Sequence, residues 1–255
     1  MNEKDGLIDL LIHDLKGPLS VASASVANLL HKTDRYGSLT DRQRRTLERI
    51  RRNTRRAQTL LQEMLEISRS EEGLFREESF PITEALRESL LDALEIVAAP
   101  MAERIRRAKD EEDFRQILEE QGIFIDIKGK YGTSPFFHDQ GKVQQILRNL
   151  LSNALKYRKS RVGVSISGEM ELVVSIEDDG KGIPHEEREV IFDRFVRLTE
   201  GKTPGVPGLG LGLTGVKALV EAMGGEINLT SLQGRGASFT VRIPPLHSQG
   251  KGRMP

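Results

Sequence analysis

Of the five histidines in the chain, one stands in a pointed context: His13-Asp14-Leu15-Lys16-Gly17-Pro18-Leu19. A neutral imidazole nitrogen is a competent nucleophile at pH 7, since its ordinary pKa is about 6.5. Asp14, next in sequence, can hold the imidazole tautomer or accept its proton. Pro18 lies in a helical stretch, where its ring clashes with the carbonyl of residue 14 and bends the helix just beyond the histidine. A second group sits in Asn149-Leu150-Leu151-Ser152-Asn153-Ala154-Leu155-Lys156-Tyr157. Asn149, Asn153 and Lys156 fall at i, i+4 and i+7, on one helix face. Their amide carbonyls suit a hard, oxygen-seeking ion such as magnesium, and the lysine suits phosphate. A third is Asp178-Asp179-Gly180-Lys181-Gly182-Ile183-Pro184, after a strand. Its glycines allow close backbone approach, and a carboxylate at a strand end can accept a hydrogen bond from an exocyclic amine. The fourth is Gly208-Leu209-Gly210-Leu211-Gly212-Leu213, leading into a helix whose first amides form an anion site. No Gly-Lys-Ser/Thr follows, so it is not a Walker loop, and its spacing is not that of the dinucleotide fingerprint. Taken singly, each glycine cluster is equally an ordinary turn, and asparagine pairs on exposed helix faces are common.

The elements that must position these groups divide the chain in two. Residues 3–33 and 40–71 predict two long helices. Leu7, Leu11, Leu15, Pro18, Ala22, Ser25 and Leu29 lie within roughly 40° of one line at 100° per residue. On the same count His13 is roughly 160° away and faces solvent. Leu47, Ile50, Thr54, Ala57, Leu61, Met64 and Ser68 form a heptad seam on the second helix. Asp34 to Gly37 make the turn, and Thr40 can cap the second helix. A lone hairpin buries too little, so the two seams predict a homodimeric four-helix bundle, the alternative being a hairpin packed on its own second domain.

Beyond Glu71-Glu72-Gly73 the texture changes. Strands are predicted at 74–80, 123–128, 162–167, 171–178, 226–231 and 237–243. Helices are predicted at 82–97, 140–157 and 213–223, and the highly charged 101–120 is an additional or extended helix. This mixture predicts an α+β fold, an α/β sandwich with helices on one face of a sheet, over 73–246. Residues 247–255, HSQGKGRMP, form a disordered tail.

Composition excludes several classes. The 38 basic residues balance the 38 acidic ones, so no whole-protein field draws the chain to nucleic acid or membrane. With no cysteine there are no disulfides, zinc fingers, iron–sulfur clusters or thiol catalysis. The polar start MNEKDG is no signal peptide, and no stretch approaches the roughly 18 apolar residues of a membrane span.

Taken together and in order, these segments resemble the catalytic core of two-component sensor histidine kinases over residues 5–244. The matching boxes are the H box around His13, the N box at 149–157, the first glycine box at 178–182, the F box at 192–197 and the second glycine box at 208–212. The resemblance implies a dimeric helical hairpin (1–72) followed by a Bergerat-type ATP-binding domain (73–246). It implies His13 as phosphoacceptor and Asp14 as its assisting base. Asn153 resembles the main magnesium ligand, with Asn149 close to it, and Lys156 and Tyr157 match positions near the phosphates and nucleotide. Asp178 matches the carboxylate that reads the adenine amino group, in a pocket shaped by Gly180 and Gly182. Arg197 resembles an arginine that meets the γ-phosphate. Gly208, Gly210 and Gly212 match the phosphate loop beside a lid at about 198–207. Asn149 stands where ATP-hydrolysing relatives of the fold carry glutamate, and an amide cannot take a proton from water. ATP and Mg²⁺ are the implied cofactors, a homodimer and a response-regulator receiver domain the implied partners, and the cytoplasm the implied location.

Two departures accompany the resemblance. Leu209 replaces a threonine near the phosphates, and Gly17 replaces the threonine or asparagine usual four residues after the histidine. The chain begins twelve residues before His13, which suggests a truncated core or a kinase fed by a partner, with membrane contact only through such a missing part. A degenerate scaffold that has lost transfer is one rival. Nucleic-acid binding by the eight arginines of 42–56 is another; no aromatics interleave with them as in single-strand binders. A solvated face or a docking surface for an acidic regulator fits that run better, and no direct nucleic-acid contact is expected.

Overall fold

The computed structural model describes residues 3–70, 75–192 and 212–246. The chain separates into two compact units, Met1–Glu72 and Gly73–Pro255. No helix among the described residues is long and apolar enough to cross a membrane.

The first unit is a helical hairpin. Helix α1 spans Glu3–His31, the single turn α2 spans Thr33–Tyr36, and α3 spans Asp41–Ser70. The connection is thus tighter and more helical than the plain turn expected over Asp34–Gly37. Gly37, with φ of +84°, closes it in the left-handed region that glycine tolerates. Thr40 caps α3 reciprocally. Its Oγ1 accepts from the Gln43 N–H at 3.3 Å, and its own N–H donates to Gln43 Oε1 at 2.9 Å. Gln58 reaches Ser20 Oγ at 3.4 Å and Arg51 reaches His31 at 3.4 Å, so the helices run antiparallel.

The packed face of α1 differs from the predicted line. Val26 and Leu30 are buried and Leu19, Ala22 and Ser23 half-buried, whereas Pro18 and Ser25 are exposed and Leu15 is 51% exposed. The face turned to α3 lies roughly 80° round the helix from the predicted seam at 100° per residue. On α3, Thr54 is buried and Leu47, Ala57 and Leu61 are half-buried, but Ile50 is exposed. The reason is that α1 carries two apolar strips. One packs inside the hairpin, and the other, with Leu15, remains for a further surface. The side chains of Leu7, Leu11, Met64 and Ser68 lie outside the described residues.

The second unit is an α/β sandwich. Strands β2 (Ile123–Ile127), β4 (Val162–Ser167), β5 (Leu172–Asp178), β6 (Glu226–Leu232) and β7 (Gly236–Ile243) form one sheet in the order β2-β4-β5-β7-β6. Among these pairings only β2–β4 is parallel. Inward residues alternate along each strand: Val162, Val164 and Ile166, then Leu172, Val174 and Ile176, then Ala237, Phe239, Val241 and Ile243. Helices α4 (Ile82–Val97), α7 (Gln140–Tyr157) and α8 (Gly212–Ala222) contribute to the core that covers this face. The seam of α4 runs Ile82, Ala85, Leu86, Ser89, Leu90, Ala93 and Leu94, all buried at spacings of three and four.

Two predicted elements change. The strand expected at 74–80 shortens to β1 (Glu78–Phe80), which pairs antiparallel with an unforeseen β3 (Phe136–His138) in a separate two-stranded sheet. Segment 101–120 becomes two helices, α5 (Ala99–Arg106) and α6 (Glu111–Glu120). The break ends at Asp110, whose side chain accepts the Asp113 N–H at 2.8 Å and so starts a new helix. The expected tail at 247–255 lies outside the described residues.

Candidate functional site

Asp139 starts α7. One carboxylate oxygen accepts the Lys142 N–H and the other the Arg76 N–H, both at 3.0 Å. The preceding His138 is fully buried, edge-on to Phe75 at 5.2 Å and stacked on Phe136 at 5.9 Å. Its Nδ1 accepts the Asp139 N–H at 2.8 Å, and burial pulls its pKa down to about 4. Helix α7 then buries Ile146, Leu147, Leu150, Leu151 and Leu155. Asn149 and Asn153 are half-buried on its remaining face. Lys156 sits 4.6 Å from the ring centroid of Tyr157, which is 57% exposed.

The strand end that carries Asp178 lies beside this helix. Asp178 is the last residue of β5, opposite Val162 and Ala237. Its Oδ1 accepts the Gly180 N–H at 2.8 Å, while burial raises its pKa above the ordinary carboxylate value against that bond. A Cβ on Gly180 would collide with the Tyr157 carbonyl oxygen, so the end of α7 and the glycine loop touch backbone to backbone. Gly182, with φ of +68°, packs against the Leu232 carbonyl in the same manner. The neighbouring Asp179 has a different task. It accepts the N–H groups of Lys159, Ser160 and Arg161 and the Ser160 hydroxyl. These bonds, the one from Arg161 foremost, hold its carboxyl well below the usual range. Arg161, Glu177, Asp178, Asp179 and Arg235 line a cleft of about 170 Å³.

Gly212 opens α8, and a Cβ there would lie 3.9 Å from Asn149 Oδ1. The asparagine face therefore meets the first turn of α8, where orphan amides favour anions. The structure thus brings Asn149, Gly212, Tyr157, Gly180 and Asp178 into one region. The backbone of His13 belongs to α1, with Asp14 and Gly17 exposed in the next turn. The His13 side chain, Arg197, Leu209, Gly208, Gly210 and the lid at 198–207 lie outside the described residues. A larger groove of about 410 Å³, lined by Leu86, Phe114, Ile125 and others, holds none of the candidate residues.

The paired asparagines of this region fit magnesium held through substrate. No cluster of three or more histidine or acidic side chains suited to a metal exists among the described residues. Asn149 and Asn153 offer neutral amide carbonyls, the donor set of an ion that brings phosphate oxygens and waters with it. Sequence reasoning placed the first residue of α7 at 140, as observed, but found neither the role of Asp179 nor the cap at Asp139. The second had a signal, an aspartate three residues before Lys142 at the head of an apolar period.

Comparison with known proteins agrees with this geometry. The His Kinase A (phospho-acceptor) domain model matches residues 3–73, and the histidine kinase-, DNA gyrase B- and HSP90-like ATPase model matches residues 138–247. The adaptive-response sensory kinase SasA of Synechococcus sp. (strain JA-3-3Ab) is 28% identical over 247 residues, covering 94% of this chain and 59% of that protein. The circadian input-output histidine kinase CikA of Thermosynechococcus vestitus is 30% identical, covering 95% of this chain and 31% of that protein. The chain thus spans less than two thirds of the length of either relative. Full-length ShkA, solved in complex with AMPPNP, superposes with a TM-score of 0.65 at 25% identity, covering 94% of this chain and 46% of that one. The Acinetobacter baumannii histidine kinase AdeS shares the fold, with a TM-score of 0.54 at 20% identity over 92% of this chain and 98% of that one. The chain belongs to the histidine kinase family, as a phosphoacceptor helical hairpin followed by its ATP-binding domain.

Proposed function

We propose that the chain is the catalytic core of an ATP-dependent, autophosphorylating protein histidine kinase of a two-component system. His13 takes the γ-phosphoryl group of ATP. An imidazole nitrogen forms the new N–P bond, the bond to the β–γ bridging oxygen breaks, and ADP leaves. Asp14 receives or orients the imidazole proton. The phosphoryl group then passes to an aspartate of a response-regulator receiver domain. The observation that carries this reading is the juncture of the Asn149 face, the Asp178 strand end and the first turn of α8 in one unit, with a His-Asp pair on a long helix in the other. Phosphoryl transfer asks for positioning and charge neutralisation rather than an elaborate catalytic apparatus, and that is what these elements offer.

Asp178 reads the adenine amino group, and Gly180 and Gly182 let the backbone approach the base. Lys156 and the α8 amides hold phosphate oxygens, with Tyr157 at the nucleotide's edge and Arg197, Gly208, Gly210 and Gly212 completing the phosphate side. Asn153 and Asn149 hold Mg²⁺, which when bound neutralises phosphate charge. Two hairpins join as a homodimer through the second apolar strip, where Leu15 and Ile50 are exposed in one chain. The stripe of arginines on α3 faces an acidic regulator. The protein works in the cytoplasm.

The test is incubation with γ-labelled ATP and magnesium, then acid or alkali treatment of the protein. Label that is acid-labile and alkali-stable, and lost in His13→Gln, is the expected result. Label that persists in His13→Gln rules the assignment out. Asn153→Ala should bind nucleotide yet fail to transfer.

A further inference from the structure

We propose that Asp179 is a positioning residue for the nucleotide, fixing the turn after α7 and through it the register between the asparagine helix and the glycine loop. The inference rests on the kinase reading and adds to it a residue that touches no substrate. Oδ1 of Asp179 accepts three consecutive backbone N–H groups, from Lys159 at 2.8 Å and from Ser160 and Arg161 at 3.0 Å. Oδ2 accepts the Ser160 hydroxyl at 2.7 Å and shares the Ser160 N–H at 3.1 Å. The Asp179 N–H in turn donates to the Arg161 carbonyl at 3.3 Å. One carboxylate thus closes a backbone nest, an arrangement that favours a fixed anion.

The position of that nest gives it consequence. Residues 158–161 join the C-terminus of α7, two residues past Lys156, to β4. Asp179 lies between Asp178 and Gly180, on the loop whose glycine abuts the Tyr157 carbonyl. Lys159 adds a bond to the Gly234 carbonyl at 3.3 Å, tying the same turn to the β6–β7 connection. Without the carboxylate, three amides lose their partner and the contact between Gly180 and Tyr157 loses its outer support. The groups on α7 and Asp178 would then no longer hold a common spacing. A charged side chain of this kind serves the fold alone only if nucleotide affinity is indifferent to it.

The test uses the full chain with Asp179→Ala, Asp179→Asn and Ser160→Ala. ATP affinity by calorimetry is compared with KM and kcat for autophosphorylation, below the melting transition of every variant. Asp179→Ala is expected to raise Kd and KM for ATP about tenfold or more, with a smaller change in kcat at saturation. Asp179→Asn should recover part of the affinity, because its amide oxygen still accepts from the nest. Ser160→Ala removes only the hydroxyl bond and keeps the protein folded if Asp179→Ala does not fold; it should raise Kd about twofold. Wild-type Kd in a folded Asp179→Ala, or in Ser160→Ala when Asp179→Ala fails to fold, overturns the proposal. A wild-type chain that binds no ATP overturns the kinase reading, and this proposal with it.

Discussion

The Tyr157 carbonyl oxygen occupies the space that a side chain on Gly180 would need. Neither partner is the tip of a flexible side chain, so neither can yield without backbone movement. Gly180→Ala is therefore expected to cost about 1–3 kcal/mol of stability and to weaken ATP binding at least tenfold. Gly163→Ala is the control. The three atoms nearest a Cβ there all belong to the side chain of Glu177, which is exposed and can swing away. A melt and an ATP titration of both variants decide it; equal behaviour would refute the steric account.

Asp178→Asn should weaken ATP affinity by about 1.5–3 kcal/mol, the worth of a hydrogen bond to a charged group. The bond from the Gly180 N–H survives in the amide, so the loop keeps its shape. Unchanged affinity by calorimetry would remove the adenine role.

His138 makes stability depend on pH. Its folded pKa is about 4 against an ordinary 6.5, so between those values the unfolded chain takes a proton that the native protein refuses. Stability therefore falls as the pH drops from about 6.5 to about 4, by roughly 2–3 kcal/mol, and this contribution flattens below. Urea titrations from pH 8 to 4 should show that His138→Phe loses this part of the slope. Equal slopes in the two proteins would exclude His138 as the source.

Gly17 points to a kinase with little phosphatase activity. By resemblance, the residue usual here orients the water that dephosphorylates the partner regulator. Ser20 does not replace it, since its hydroxyl donates to the Lys16 carbonyl at 2.8 Å and faces Gln58 at 3.4 Å. Among the described residues nothing lies within 4 Å of where a Cβ on Gly17 would stand, so the helix accepts a side chain there. Gly17→Asn or Gly17→Thr is expected to speed decay of the phosphorylated cognate regulator by up to ~10²-fold in the presence of ADP. Rapid decay with the wild-type chain, unaltered by either change, would contradict this.

The elements with strong local signals are legible without coordinates. Helix α4 and strand β4 fall at the predicted bounds, because a 3.6-residue period or strict alternation runs through them between clear stops. β1 and β3, three residues each, owe their existence to each other across more than fifty residues of chain, and no local pattern announces that. The α1 seam does not mark the face packed against α3, because two apolar strips share one helix and the periodicity picks out the one that stays exposed in a single hairpin, with Leu15. Adjacent carboxylates pose a similar limit at the site. Asp178 and Asp179 differ in task only because the turn after α7 presents its amides to one of them.

The place of β7 in the sheet bears on how the protein is made. Although it follows β6 in sequence, it lies between β5 and β6 and pairs with both along nearly its whole length. Until residue 243 has left the ribosome, the strand that ends in Asp178 has an open edge and Gly236 cannot pack against the Asp178 carbonyl. The ATP-binding unit therefore completes its sheet only once β7 has emerged, well after the helical hairpin, whose two helices adjoin in sequence and can pair during translation. A nascent chain thus has its helical hairpin before the sheet of the second unit is complete. A frameshift or stop codon just before residue 236 would leave the histidine helix intact and the nucleotide-binding unit unfolded, with an exposed strand edge that invites aggregation.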